Sequence, residues 1–383
     1  MLKKNKIIHI ITGLGDGGAE NTLFKICKYD KINTHIVISL KDAGKYSFLL
    51  RKIGIKVYHL KIKFFSISKF IYLIKLLKNL KGNAIQTWLI HGDLIGGIAA
   101  NFSGYKNIFW NIRFSNLEFN KKNLVNIFFV RLLSLFSYFI PSQIVVVSKS
   151  AKKNCIRLGY QKKKLKLIFN GYDLSILKSN KIKKKYFHNK IKFKNNLPII
   201  GNIARYAPMK DHMNLLQALS LIKLKNINFL CILAGSNINK NNTKLTKQIK
   251  KLKLNNNVKL EGSCKNIKVF MNGIDLYVQS SKYGEGFPNV IAEAMACGIP
   301  CVVTNVGDAN FIVGNTGWVV PPKNPLALSN SIINAFFLLN KKSWNKRCDS
   351  SRLRISKNFN IDKMINNYQK FWVKNIIIDK YNP

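Results

Sequence analysis

The sequence predicts an α/β fold of two parallel-sheet domains facing each other across a cleft, and three observations predict it. Apolar runs of strand length alternate with helical patterns through both halves of the chain. Buried strands separated by helices mark a parallel sheet covered on both faces. A polar, lysine-rich stretch, "SILKSNKIKKKYFHNKIKFKNN" (175–196), interrupts the alternation and reads as an interdomain linker. Finally, 383 residues with 47% apolar content suffice for two separate cores.

The elements follow in order. "KIIHIIT" is a strand, "GLGDGG" a turn and "AENTLFKICKY" a helix. "NTHIVISL" is a second buried run, and "SFLLRKIGIKVYHL" repeats helix then strand. "AIQTWLI", "NIFWNIR" and "QIVVVS" continue the pattern, which closes near "LKLIFNGYD" and makes residues 1–175 the first domain. The second domain, 196–355, runs through "LPIIGNIAR", "NLLQALSLI", "NFLCILAG", "VKLEG", "IDLYVQSS", "CVVTN" and "GWVV". The tail, 356–383, contains the helical pattern "NIDKMINNYQKFWVKNIII" and is expected to pack back across the junction. No repeat of solenoid length is visible.

Composition excludes several classes. "MLKKNKIIHIIT" has the basic start of a signal peptide, but it flows into "GLGDGGAE" without an A-x-A site. The most apolar region, 124–148, is broken by Arg131, Pro141 and Gln143, so it reads as a buried helix and strand. The seven cysteines form no CxxC pair or zinc spacing, which suits free thiols in a reducing cytoplasm. Lys plus Arg number 64 against 16 Asp plus Glu, a formal charge of +48. Either an AT-rich coding bias produces that excess, or the chain is drawn to a polyanion such as an acidic membrane, a nucleotide or nucleic acid. "FFSISKFIYLIKLLKNLK" (64–81) interleaves lysines with apolar residues and reads as an amphipathic surface helix or a monotopic membrane contact.

Parallel sheets bind ligands beyond the carboxyl ends of their strands, so the loops there carry the chemistry. "GLGDGGAE", with Gly15, Gly17 and Gly18, joins a strand to a helix whose N-terminus favours anions, though it does not match G-x-G-x-x-G. In "NIARYAPMKDH", Arg205 and Lys210 follow a strand and suit two phosphates, the first as a fork and the second as a mobile point charge. In "YGEGFPNVIAEAMACGIP", Glu285 lies in the loop after "GIDLYVQSS", and Glu293 lies on the following helix, which stops at Gly298. Ile291, Ala294 and Met295 read as that helix's buried face. Each carboxylate can accept two hydroxyl hydrogens, and the backbone of Gly286, Phe287, Pro288 and Asn289 at a helix start suits phosphate. A nucleotide sugar meets both demands. Paired carboxylates for hydrolysis would leave the phosphate-type loops without a role.

These motifs resemble the family 4 glycosyltransferases, retaining enzymes of the GT-B fold. "GEGFPNVIAEAMACGIPCVVTNVGD" is similar to that family's Glu-x7-Glu block, and "IARYAPMKDH", "LAGS", "VSKSAKKNCIRLGY…IFNGYD" and "TGLGDGGAE" stand in the family's order. The resemblance implies two Rossmann-like domains, the N-terminal one for the acceptor and the C-terminal one for the nucleotide-sugar donor. It implies that Arg205 and Lys210 hold the diphosphate, Glu285 the donor sugar and Glu293 the ribose. It also implies that Gly286, Phe287, Pro288 and Asn289 line the sugar and phosphate, without a metal or other cofactor.

One departure concerns the acceptor side. Many relatives carry a His after the fourth N-domain strand, where this sequence reads "WNIRFSN" with Asn111, Arg113 and Ser115. His91, after the preceding strand, either lines the acceptor side or completes a turn. Arg113 is a candidate for an acidic acceptor group such as the phosphate of a polyprenyl carrier. The expected function is sugar transfer to a glycan or lipid-linked acceptor in surface polysaccharide assembly: O-antigen, capsule or lipopolysaccharide. The expected place is cytoplasmic, peripheral on the inner face of an anionic membrane. A non-hydrolysing epimerase is the alternative within nucleotide-sugar chemistry, distinguished by needing no acceptor. A polyanion-binding protein is the alternative outside it, and no aromatic-interleaved nucleic-acid motif supports that reading.

Overall fold

The computed structural model describes residues 4–62, 66–113, 124–191 and 197–381. The chain divides into two compact units, residues 1–171 with 361–383 and residues 172–360. In the first unit, seven strands form one parallel sheet: β1 (Lys6–Ile11), β2 (Thr34–Ser39), β3 (Lys56–His59), β4 (Ala84–Trp88), β5 (Ile108–Ile112), β6 (Gln143–Val146) and β7 (Leu165–Leu167). Their spatial order is β3-β2-β1-β4-β5-β6-β7. Chain direction across the sheet therefore reverses between β1 and β4, the place where open α/β sheets receive ligands.

Isoleucine and valine suit these strands because a branched Cβ packs well on a pleated surface. Alternate β1 side chains serve opposite faces. Ile8 and Ile10 join a core with Leu73, Leu77 and Trp110. Ile7 and Ile11 join the other, with Leu23, Tyr368 and Trp372. The last two come from the final helix, Ile361–Tyr381, which is thus a structural part of the first unit. Trp372 Nε1 donates to Gln86 Oε1 at 3.1 Å and Gln369 Nε2 to Asp30 Oδ1 at 2.8 Å, fixing the helix by polar as well as apolar contacts.

The second unit carries β8 (Ile199–Ile203), β9 (Leu230–Ala234), β10 (Val258–Leu260), β11 (Leu276–Gln279), β12 (Cys301–Thr304) and β13 (Trp318–Val320). They lie in the order β10-β9-β8-β11-β12-β13, all parallel, with the reversal between β8 and β11. Leu215, Leu219 and Ile222 of the helix His212–Leu224 pack into its core.

Two readings of the sequence need correction. The lysine-rich stretch is not a bare linker, since Lys181–Lys190 is a helix that buries Phe187 against Phe270, ring centroids 5.6 Å apart. One buried aromatic in a helix whose Ile182 and Tyr186 stay exposed gives little periodic signal, and tertiary contact supplies the order. Among the described side chains of the helix Leu124–Phe136, Val130, Leu133 and Ser134 are buried while Phe128 and Leu135 are exposed. Among the described residues, no helix is long and apolar enough to cross a membrane.

Candidate active site

The reversal point of the second sheet gathers the charged residues. Glu285 lies in the loop after β11 and is buried. Its Oε1 accepts from Lys210 Nζ at 2.5 Å and from Ser281 Oγ at 2.6 Å. Lys210 stands on the loop after β8, so the ion pair joins the two strands at which the sheet order reverses. Ser280 Oγ donates to the Lys210 carbonyl at 3.0 Å, and Thr304 Oγ1 donates to the Ser281 carbonyl at 2.6 Å. A carboxylate held this way has one geometry.

Backbone packing holds the loops together. Gly307 has φ +62°, and a Cβ there would strike the Glu285 carbonyl, so the loop after β12 can approach only as glycine. Asp308 N donates to the Gly286 carbonyl at 2.9 Å. Gly235, at φ +143°, similarly lets the "LAGS" loop lie against Ala204 beside Arg205. The Arg205 guanidinium is exposed on this loop, with Nη2 3.5 Å from Met209 Sδ. Nearby His212 is buried at the start of its helix, and burial together with Lys210 pushes its pKa down to about 4.

The helix after Glu285, Asn289–Ala296, buries Ile291, Ala294 and Met295, as the sequence implies. Glu293 is half-buried on the same helix. Its charge raises the pKa of Cys264, Cys297 and Tyr277, though burial is the larger cause in each. Phe287 is buried against Tyr172 and Phe359, and Asn289 Oδ1 accepts from Tyr172 OH at 2.5 Å. With both side chains engaged by the protein, the stretch Gly286–Asn289, including Pro288, offers a ligand chiefly backbone. Sequence reading missed Ser281, whose signal was a hydroxyl four residues before the glutamate at a strand end.

In the first unit, Gly15 and Gly18 are exposed and Gly17 is the N-cap of the helix Gly18–Tyr29, with no side-chain cap. A Cβ on Gly17 would collide with the Glu20 carboxylate. His91 follows β4 and is half-buried, its pKa lowered by burial and then by Lys41. "WNIR" closes the fifth strand, β5, so the residue after the fourth is His91's neighbourhood and not Arg113's. Ser115 lies outside the described residues.

Arg113 is a junction within its unit. Its guanidinium donates to Asn111 Oδ1 (2.9 Å), Asn170 Oδ1 (2.5 Å), Tyr368 OH (3.1 Å) and, weakly, Thr22 Oγ1 (3.5 Å). It also lies 5.0 Å over the Trp88 ring. A guanidinium so engaged ties β5 to the first and last helices.

Among the described residues, His9, Cys27 and His35 lie close enough to suggest a metal cluster. Their nitrogens are already used. Trp88 Nε1 can only donate, and it faces His9 Nδ1 at 3.2 Å, so the His9 proton sits on Nε2. That proton faces His35 Nδ1 at 2.9 Å, and His35 Nε2–H faces Asp30 Oδ2 at 3.1 Å. Burial and then His35 hold the His9 pKa well below its usual value. Burial raises that of Asp30, but bonds from His35, Asn33 and Gln369 outweigh it and hold the carboxyl well below the usual range. The group is a structural hydrogen-bond chain.

Comparison with known proteins gives the pattern a context. Residues 183–349 match the family model described as glycosyl transferases group 1. The UDP-Gal:alpha-D-GlcNAc-diphosphoundecaprenol alpha-1,3-galactosyltransferase of Escherichia coli is 23% identical over 316 residues, covering 80% of this chain and 79% of that protein. The capsular polysaccharide biosynthesis glycosyltransferase CapM of Staphylococcus aureus is 24% identical over 339 residues, covering 86% and 80%. A glycosyltransferase structure from Rickettsia africae superposes with TM-score 0.84 at 21% identity, covering 97% of this chain and 99% of that one. HepE of Anabaena, in complex with UDP, gives 0.82 at 21% identity, covering 96% and 99%. The fold is GT-B.

Proposed function

We propose that the chain is a glycosyl transferase of the group 1 type, a retaining enzyme moving a sugar from a nucleotide-sugar donor to a lipid-linked glycan acceptor in surface-polysaccharide assembly. The observation that carries the reading is Glu285, a buried carboxylate pinned by Lys210 and Ser281 at the reversal point of the second sheet. The similar Escherichia coli enzyme takes a diphosphoundecaprenol-linked acceptor, and CapM serves capsular polysaccharide biosynthesis, which supports the acceptor class.

The chemistry follows from the placement. Arg205 and Lys210 face the donor diphosphate and take up the charge that develops as it leaves, without a metal. Glu285 receives hydroxyl hydrogens of the donor sugar, Glu293 those of the ribose, and the Gly286–Asn289 backbone receives phosphate. The bond from the anomeric carbon to the diphosphate oxygen breaks through an oxocarbenium-like state. The acceptor hydroxyl oxygen bonds to the same face, and its proton passes to the departing phosphate oxygen. Arg113, held by Asn111, Asn170 and Tyr368, positions the first unit's strand end.

We place the enzyme at the cytoplasmic face of an anionic membrane. The helix Ile67–Leu80 exposes Ile67, Ile71 and Tyr72 beside Lys75 and Lys78, and such a face attracts acidic lipid. The test is a thermal-shift screen of nucleotide sugars, followed by transfer to a prenyl-diphosphate-linked glycan in anionic vesicles. One donor is expected to raise the melting temperature, product is expected only with acceptor, and transfer is expected to fall with added salt. Glu285→Ala is expected to abolish transfer with an unchanged circular dichroism spectrum. Full activity in that variant sinks the assignment, and donor conversion without acceptor makes the chain an epimerase.

A further inference from the structure

The reversal point of the first sheet holds a cavity of about 510 Å³, within the size range of ligand pockets. Its walls are Ile62, Ile67, Phe70, Leu94, Ile95 and Phe129. Three polar residues that line it stand together at the sheet edge. Thr12 follows β1 and Lys41 follows β2, and the Lys41 amide donates to the Thr12 carbonyl at 3.1 Å. His91 follows β4, close enough to Lys41 for the ammonium to depress its pKa. Thr12 Oγ1 also accepts from Gly92 N at 3.1 Å, so the three strand ends form one wall.

Lys45 pairs with Asp16, and Lys61 lies near Asp42. Lys41 has no carboxylate within ion-pair distance among the described residues. A lone cation beside an uncharged imidazole, over an otherwise apolar cavity, suits neither a sugar nor a nucleotide. A sugar's hydroxyls would lose their water for few partners here. The complement is an amphiphile, an apolar chain ending in an anion.

We propose that this cavity takes the first isoprenoid units of a polyprenyl phosphate or diphosphate carrier, with Lys41 and His91 on the phosphate. The cavity would thereby hold the lipid end of the acceptor, which is why this inference rests on the transferase reading above. The exposed Ile67 lines the cavity, and the exposed Ile71 follows one turn later on the helix assigned to the membrane surface, so a chain leaving the bilayer meets apolar surface before the cavity.

The test uses the full chain and farnesyl phosphate as probe, below its micellar concentration, with titration calorimetry. Farnesyl phosphate is expected to bind at least about tenfold more tightly than farnesol or inorganic phosphate, about 1.4 kcal/mol. Ser66→Trp, which fills the cavity from its lining, is expected to weaken farnesyl phosphate at least about tenfold. Lys41→Ala is expected to remove the preference for farnesyl phosphate over farnesol. Both variants should keep the nucleotide-sugar thermal shift. Equal binding by Ser66→Trp means adsorption elsewhere and overturns the proposal, as does no binding by a chain that still binds nucleotide sugar. A chain that binds no nucleotide sugar at all refutes the transferase reading instead.

Discussion

The two sheets reverse their strand order at equivalent points, β1/β4 in the first and β8/β11 in the second, yet the chemistry placed there is opposite. At β8/β11 a buried carboxylate, a lysine and a serine hydroxyl converge within hydrogen-bond distance. At β1/β4 an apolar cavity carries one lysine with no acid beside it. The backbone topology decides where a ligand can sit, and the side chains at the strand ends decide what kind it is. A nucleotide sugar needs acceptors for its hydroxyls and cations for its phosphates. A lipid tail needs neither.

Three substitutions or conditions sharpen this contrast. The largest effect is expected at Lys210→Ala, where losing the cation proposed to face the leaving diphosphate should cut kcat about 10²–10³-fold, or about 3–4 kcal/mol of barrier. The same change at Lys41, which supports no buried carboxylate, should leave stability within about 0.5 kcal/mol of the parent. Equal losses of turnover and stability at both lysines would erase the distinction between the two points.

Next is Arg113→Ala, which leaves Asn111, Asn170 and Tyr368 short of a charged donor. Charge-assisted bonds of this kind contribute about 1.5–3 kcal/mol, so denaturant unfolding should show a loss near about 2 kcal/mol. An unchanged midpoint with lowered acceptor turnover would move the guanidinium from scaffold to acceptor contact.

The smallest effect is in pH. His9 in the first unit and His212 in the second have folded pKa values below the ordinary one, with His212 down to about 4. The unfolded chain therefore takes up protons first as pH falls through about 6.5, and acid favours unfolding. The contribution of these two imidazoles should be level above about pH 7. Below about pH 6.5 it should fall by about 1.4 kcal/mol per pH unit for each imidazole, continuing to about pH 4 for His212. Denaturation midpoints from pH 7.5 to 4.5 measure the slope. His212→Gln should flatten it, and an unaltered slope would show that this imidazole is not responsible.

Glu285 and Arg113 show how far one-dimensional reading reaches. Glu285 was legible because an acid after a strand and before a helix start has a position that can be counted from the sequence. Lys210 was legible for the same reason. That the two form one ion pair was not, because 75 residues separate them and only sheet order brings their loops together. Arg113 read as an acceptor contact because its place after a strand is all that its own segment shows. Besides Asn111, its partners arrive from residues 170 and 368, contacts no local pattern encodes.

By itself the sequence determined the alternation of strands and helices, the two sheets and the loops that carry the carboxylates and cations. These follow from periodicity and turn chemistry, which are local. The tertiary structure alone decided the ordering of the lysine-rich stretch through Phe187 and the inclusion of the final helix in the first unit. It also decided the hydrogen-bond chain from Trp88 through His9 and His35 to Asp30, and the apolar cavity beside Lys41. Each depends on which distant side chains share a face, and burial against a distant neighbour has no signature in the residues on either side.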